Sequence, residues 1–358
     1  MSELLAALLI SRAFDARPQG EEFTDFHVEF DDMFGGTAVE GELKRAIGLL
    51  ERTAIIGPSG GGKTSVADYV LASLDDTDLA PIVITVAMDA HEVVEDPRRF
   101  MQHLVNVISR QAKAANQLSE KERTELLKGA TGTQELPARA VQIGGKGGVD
   151  VWVAHGELAR DVTTTVSGGS IDRPAGEIQD QLTQVMEVIR SHELSPVLIF
   201  DDSDAFTRTA GGQDRTPFVA GFFGPALGTV VGLGIGIVAM VHDSYLELDA
   251  YQRLEVEIFE ARVPLPRFDD PPMLGRLFER RIESVGLGAA PGDVFTNDAL
   301  IELLNLYGGE KVQGNLRATV TIAQRALSDS VGAGHEQITA EAIATAASAE
   351  GAVAGSGS

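Results

Sequence analysis

The stretch "IIGPSGGGKTSV", Ile55 to Val66, decides how the rest of the chain is read. Three consecutive glycines stand directly before a Lys-Thr pair. Glycine loses more conformational freedom on folding than any other residue, so such a run needs something to offset it. Gly57-Pro58-Ser59-Gly60-Gly61-Gly62-Lys63-Thr64 fits G-x-x-x-x-G-K-[ST] at every position. An apolar run, "TAIIG" (Thr53–Gly57), precedes it and a helical pattern, Lys63–Leu74, follows. That is the strand–loop–helix context the motif requires. Glycines there let successive backbone N–H groups turn inward around a phosphate chain. The helix N-terminus adds its dipole. Lys63 is then placed to neutralise β- and γ-phosphates, Thr64 to ligate Mg2+, and Ser65 to extend the binding stretch. ATP with Mg2+ is the expected cofactor pair, and bound phosphate offsets the glycine entropy.

A magnesium–nucleotide site needs an acid at the end of a hydrophobic strand. "PVLIFDD", Pro196–Asp202, supplies two. Asp201 is positioned to hold the Mg2+ shell and Asp202 to orient the attacking water. An ordinary acidic strand-to-loop junction is the plainer alternative.

Other short β-branched runs are "PIVITVAM" (Pro81–Met88), "GIGIVAMV" (Gly234–Val241) and, less clearly, "EIFEARVPL" (Glu257–Leu265). Strands buried on both faces read this way, and helical stretches alternate with them at 40–51, 63–74, 97–116, 119–127 and 177–192. The fold class is therefore α/β, a P-loop NTPase with a parallel sheet. Residues 129–176 break the pattern with Gly-rich turns between short alternating runs, which predicts an inserted β-hairpin or ribbon. Its Trp152 serves packing or a partner contact.

After "VPLPRFDDPPM" the chain reads as helical to its end. Pro271-Pro272 suit a first turn, Thr296 precedes another helix, Gly314-Asn315 precede a third, and "ITAEAIATAA" supplies a fourth. The expected organisation is an N-terminal extension at 1–30, a nucleotide-binding core at 31–265 carrying the insertion, a helical lid domain at 266–350 and a flexible tail at 351–358.

Four segments together resemble the AAA+ ATPases, in particular their origin-recognition-like and signal-transduction (STAND-like) branch. "FGGTAVEGELKRAIGLL" is similar to the family's adenine-side segment and would bring Phe34 and Gly35 to the nucleotide; the frequent Gly-Arg pair is here Gly36-Thr37. "FDDSD" resembles the Walker B acid pair, although Asp202 replaces a glutamate one methylene longer. "GIVAMVHDSY" resembles the sensor-1 strand and would put His242 near the γ-phosphate, where the family more often has Asn or Thr. "GNLRATVTIAQRAL" resembles the sensor-2 helix, with Arg317 as its arginine. A hydrogen-bonded core histidine and a solvated arginine are the competing readings of those two. Arg208, Arg215 and Arg253 are equal candidates for an arginine acting on a neighbouring subunit. The resemblance spans about 31–347 outside the insertion and implies ATP hydrolysis, slow if the shortened acid reaches water poorly.

Composition narrows the partners. The formal charge is −24, from 53 acidic and 29 basic residues, which does not support general nucleic-acid binding, although a local basic patch would permit it. No cysteine is present, which excludes disulfides and thiolate metal sites. Gly221–Val241 carries no charge over a membrane-spanning length, but its six glycines and Pro225 read better as a helix tail, a turn and a strand, so no membrane partner is expected. "MSELLAALLI" lacks a basic leader and a cleavage site, which predicts a short docking helix and a cytoplasmic protein. Three functions stay open: a motor or loader coupled to a protein partner or homo-oligomer, a slow nucleotide switch or scaffold, and a DNA-linked regulator.

Overall fold

The computed structural model describes residues 3–16, 26–36, 38–74, 79–85, 96–114, 174–201, 215–309, 312 and 314–355. The expected helix at 119–127, nearly all of the insertion with Trp152, and Asp202 and Arg208 lie outside the described residues. In chain order the elements are α1 (Glu3–Ile10), α2 (Phe30–Phe34), α3 (Val39–Gly48), β1 (Arg52–Gly57), α4 (Lys63–Ala72), β2 (Leu79–Thr85), α5 (Pro97–Ala114), α6 (Ala175–Ser191) and β3 (Ser195–Asp201). There follow α7 (Thr216–Gly221), α8 (Leu227–Val231), β4 (Gly236–His242), α9 (Asp249–Ile258), β5 (Ala261–Pro264), α10 (Pro271–Ser284), α11 (Pro291–Val294), α12 (Asn297–Gly308), α13 (Leu316–Ala333) and α14 (Ala340–Gly355). Helix α6 begins at Ala175, so the last two residues assigned to the insertion are helical.

The chain divides into two compact units, one of residues 41–56 and 67–264 and the other of residues 1–40, 57–66 and 265–358. The first holds the sheet, ordered β2-β3-β4-β1-β5. Its pairs β1/β5, β2/β3 and β3/β4 run parallel. Parallel neighbours need crossover connections, which the intervening helices supply. Strands β3 and β4 are buried almost throughout, which is why they read as unbroken apolar runs. Phe100, Phe200, Phe222, Phe223 and Tyr251 form an aromatic core with edge-on contacts between rings. The uncharged run Gly221–Val241 spans a π-turn containing Pro225, then α8 and β4. Proline removes an N–H and clashes with the preceding turn, so the widened π geometry falls where Pro225 stands. No helix among the described residues is long and apolar enough to cross a membrane.

The second unit is mostly helical. Pro271 and Pro272 open α10 at positions where a missing N–H costs nothing. Thr296 caps α12 by accepting from the Ala299 N–H, and Asn315 caps α13 by accepting from the Ala318 N–H at 2.9 Å. Helix α1 packs Leu5 and Leu8 into this unit, as expected of a docking helix. Phe14, Phe278 and Phe295 close its core. Arg281 of α10 is buried beneath the N-terminal segment, donating to the Asp15 carbonyl at 2.8 Å with its guanidinium 5.4 Å from the centre of the Phe26 ring. Burial lowers its pKa to about 10, while the nearby Asp15 carboxylate opposes that fall. The tail expected at 351–358 corrects to helix as far as Gly355, because the alanine-rich "ASAEGAVAG" keeps enough helix propensity to carry two glycines.

Candidate functional site

The glycine-rich loop leaves β1 at Gly57 and enters α4 at Lys63. Gly60 (φ +69°) and Gly62 (φ +101°) hold left-handed backbone that side chains rarely adopt. A Cβ on Gly61 would stand 3.0 Å from the Pro58 carbonyl oxygen, a tight contact that the turn would have to shift to relieve. Lys63 is only 4% exposed and donates from Nζ to the carbonyls of Gly57 (2.9 Å) and Pro58 (2.8 Å). Its ammonium is thus held inside the loop's curl by neutral oxygens, and a phosphate oxygen would offer a stronger, charge-assisted partner. The Ser59 hydroxyl oxygen is buried without a hydrogen-bond partner among the described residues. Positive-φ glycines, a buried ammonium and an orphaned hydroxyl fit a phosphate chain.

Two other parts of the same unit reach this loop. From the C-terminal helices, the Arg317 N–H donates to the Gly60 carbonyl at 3.2 Å. Asn315 lies so near Gly60 that a Cβ there would fall 2.1 Å from its Oδ1. A Cβ on Gly314 would lie 3.3 Å from the Pro58 ring. The N-terminus of α13 therefore abuts the loop, and Arg317 sits in its first turn. From the N-terminal side, the Phe30 ring lies 3.8 Å from where a Gly62 Cβ would be. His27 bonds Ser65 Oγ through Nδ1 at 3.1 Å. Phe34 is half-buried and stacks on Phe30, and Gly35 follows it in left-handed conformation as the cap of α2. Phe34 also meets Phe268, which meets Tyr307 edge-on, so the expected adenine-side residues join an aromatic group.

The remaining expected residues belong to the sheet unit. Asp201 ends β3 and is 2% exposed. His242 ends β4 and caps the following turn, its Nδ1 accepting from the Ser244 N–H at 3.1 Å. Ser244 Oγ and Asp243 Oδ1 lie 2.8 and 3.1 Å from the same nitrogen. Nδ1 is thus taken up by its own neighbours, and any reach toward a ligand falls to Nε2. Arg215 donates to Ser244 Oγ at 2.7 Å, while Arg253 is exposed on α9. Among the described residues no cluster of three or more His, Asp or Glu side chains could hold a metal. Mg2+ commonly takes one or two protein ligands and draws the rest from phosphates and water, so it needs no such cluster, and Thr64 is half-buried in the first turn of α4.

Sequence reasoning did not find His27, Glu40 or the approach of Asn315 to Gly60. His27 stands 38 residues from Ser65 and no local spacing links them.

No protein-family profile matches the chain, and no curated protein matches it in sequence. Among solved structures it is similar to the Aeropyrum pernix ORC1 protein in complex with DNA, with a TM-score of 0.51 and 16% identity over 93% of this chain and 68% of that one. The Aeropyrum pernix ORC2 protein in its ADPNP–ADP complexes gives 0.47 and 15% identity over 94% and 71%. The ORC1 likeness shows the fold: a parallel sheet with flanking helices and a helical C-terminal region.

Proposed function

With that fold as its framework, we propose that this chain is an ATP-binding AAA+ ATPase that couples Mg-ATP binding and slow hydrolysis to conformational change or assembly with a protein partner. The observation that carries the reading is the unbroken Gly57–Thr64 loop with the N-terminus of α13 against its Gly60. The peptide N–H groups of Gly60 and Gly62 would hold phosphate oxygens, as would that of Gly61 on giving up its 3.1 Å bond to the Pro58 carbonyl, while Pro58 and Ser59 shape the turn. Lys63 exchanges two carbonyl partners for phosphate and balances its charge. Thr64 and Asp201 would hold Mg2+, which supplies charge neutralisation between phosphates when bound. Asp202 would orient the attacking water, and because its side chain is one methylene shorter than a glutamate's, turnover would be slow. His242 and Arg317 sense the γ-phosphate, and Phe34 with Gly35 flanks the base. The site is cytoplasmic and its partner is a protein or a second copy of the chain.

The test measures ATP affinity and turnover on one sample, with light scattering in the presence and absence of ATP. Lys63→Ala should weaken ATP binding about tenfold or more, since a charge-assisted contact is worth roughly 1.5–3 kcal/mol. Equal affinity in both proteins refutes the reading. A mass increase with ATP supports an assembling motor or loader, whereas retained nucleotide without turnover supports a switch or scaffold.

DNA-linked action is a second reading. The acidic balance is not borne out as an argument against nucleic acid, because a neighbour of the same fold was solved on DNA. Duplex binding that falls steeply with salt would support this reading.

A further inference from the structure

We propose that His27, held by Glu40, is a positioning residue for the nucleotide: through the Ser65 hydroxyl it fixes the first turn of α4, so that the N-terminal segment becomes part of the phosphate cradle. His27 and Glu40 are 7% and 6% exposed. The ring joins two side chains far apart in the chain, Nδ1 to Ser65 Oγ at 3.1 Å and Nε2 to Glu40 Oε1 at 3.0 Å. Both nitrogens are engaged whichever of them bears the proton, so the ring cannot turn without losing a bond. Glu40 Oε1 also accepts from the Phe30 N–H at 3.0 Å, and Phe30 is the residue whose ring covers Gly62. One carboxylate oxygen thus sets both points at which the N-terminal segment meets the loop.

The arrangement is a poor way to stabilise a fold. Glu40 Oε2 is buried without a hydrogen-bond partner among the described residues. A buried carboxylate oxygen left unpaired is costly, and an apolar pair of the same volume would serve packing better. What the arrangement yields is position. A serine in a helix tends to bond back to the carbonyl one turn earlier, which bends the turn. His27 draws the Ser65 hydroxyl away from that partner at the residue immediately after Thr64. This turn is the helix N-terminus that directly continues the phosphate-cradling loop, and its N–H groups would face the phosphates of either nucleotide. The effect should therefore fall on ATP and ADP alike, unlike that of a γ-phosphate sensor.

The inference rests on the loop binding nucleotide, and the test separates the two. Full-length wild type, Lys63→Ala, Ser65→Ala, His27→Gln, His27→Asn and the His27→Gln/Ser65→Ala double variant are titrated with ATP and with ADP by calorimetry, and each is melted. Asn keeps a polar atom near Nδ1, and Gln keeps one near Nε2. Ser65→Ala and His27→Gln should each weaken both nucleotides about five- to tenfold, the worth of one hydrogen bond. The double variant should be no worse than Ser65→Ala, and His27→Asn should retain more affinity than His27→Gln. Wild-type affinity in His27→Gln, or losses that add in the double variant, overturns this proposal while the loop assignment stands. Wild type that fails to bind, or binds no better than Lys63→Ala, overturns both. If His27→Gln melts far below wild type, the same comparison of coupling is made with His27→Asn and the His27→Asn/Ser65→Ala double variant, and additive losses there are equally fatal.

Discussion

Gly60→Ala tests the abutment of α13 on the loop. Gly60 has φ +69°, and the new Cβ would fall 2.1 Å from Asn315 Oδ1 and 2.6 Å from its Cγ. The side chain at 315 must move, yet it is committed as the cap of α13, accepting from the Ala318 N–H at 2.9 Å. Two costs follow. Left-handed backbone in alanine costs about 1–2 kcal/mol. Loss of an asparagine cap costs about 1 kcal/mol. The variant should therefore lose about 2–3 kcal/mol. Asn315→Ala alone should lose the cap only, about 1 kcal/mol. In the double variant the cap has already gone and the smaller alanine leaves room, so the costs should fall short of additive by about 1 kcal/mol. Amide hydrogen exchange reads this locally: the Ala318 amide should lose about fivefold protection in Gly60→Ala, because 1.4 kcal/mol is tenfold. Unchanged Ala318 protection in Gly60→Ala, or strictly additive costs, would refute the contact.

Asp201→Asn should weaken nucleotide binding only when Mg2+ is present, and Asp202→Asn should spare binding and suppress hydrolysis; wild-type turnover in both would remove these roles. A non-hydrolysable ATP analogue should protect residues 271–331 from exchange more than ADP does, and Arg317→Ala should abolish the difference, since a ligand shifts an equilibrium only by its differential affinity; identical exchange with both nucleotides makes Arg317 an ordinary surface arginine. Tyr251 is fully buried and its hydroxyl has no hydrogen-bond partner among the described residues, so Tyr251→Phe should match or exceed wild-type stability by up to about 1 kcal/mol. Burial first, and then Glu255, pushes this phenol well above its ordinary value. The unfolded chain therefore loses the proton first, stability falls as pH rises above about 10, and the Phe variant should lack that part of the fall in urea midpoints.

What could be read in advance was what is local. A strict eight-residue loop, apolar strands and helix starts marked by Pro271, Thr296 and Asn315 each carry their signal within a few residues, and each stands where it was expected. The strand β5 is short because "EIFEARVPL" is shared between the end of α9 and four extended residues. The tail misled because its glycines were weighed without the alanines around them. The pieces that complete the loop were illegible for another reason. Asn315 against Gly60 and His27 against Ser65 join chain positions with no common period, and polar residues that look solvated in sequence become internal only when distant segments meet. For Asp202 and residues 129–173 the expectations remain proposals.

The unit that carries the phosphate loop is assembled from residues 1–40, 57–66 and 265–358. About 200 residues therefore separate the loop from the helices it packs with, and at roughly 5–20 residues per second a ribosome needs some 10–40 seconds to cross them. During that interval Gly60 lacks Asn315, and the guanidinium that will close over Asp15 has not been made. The nascent loop is a flexible strand-to-helix junction until the last quarter of the chain arrives. Competence to bind nucleotide should then appear late and abruptly in synthesis, so a stalled chain ending before α13 offers the cell no half-working copy to compete for partners.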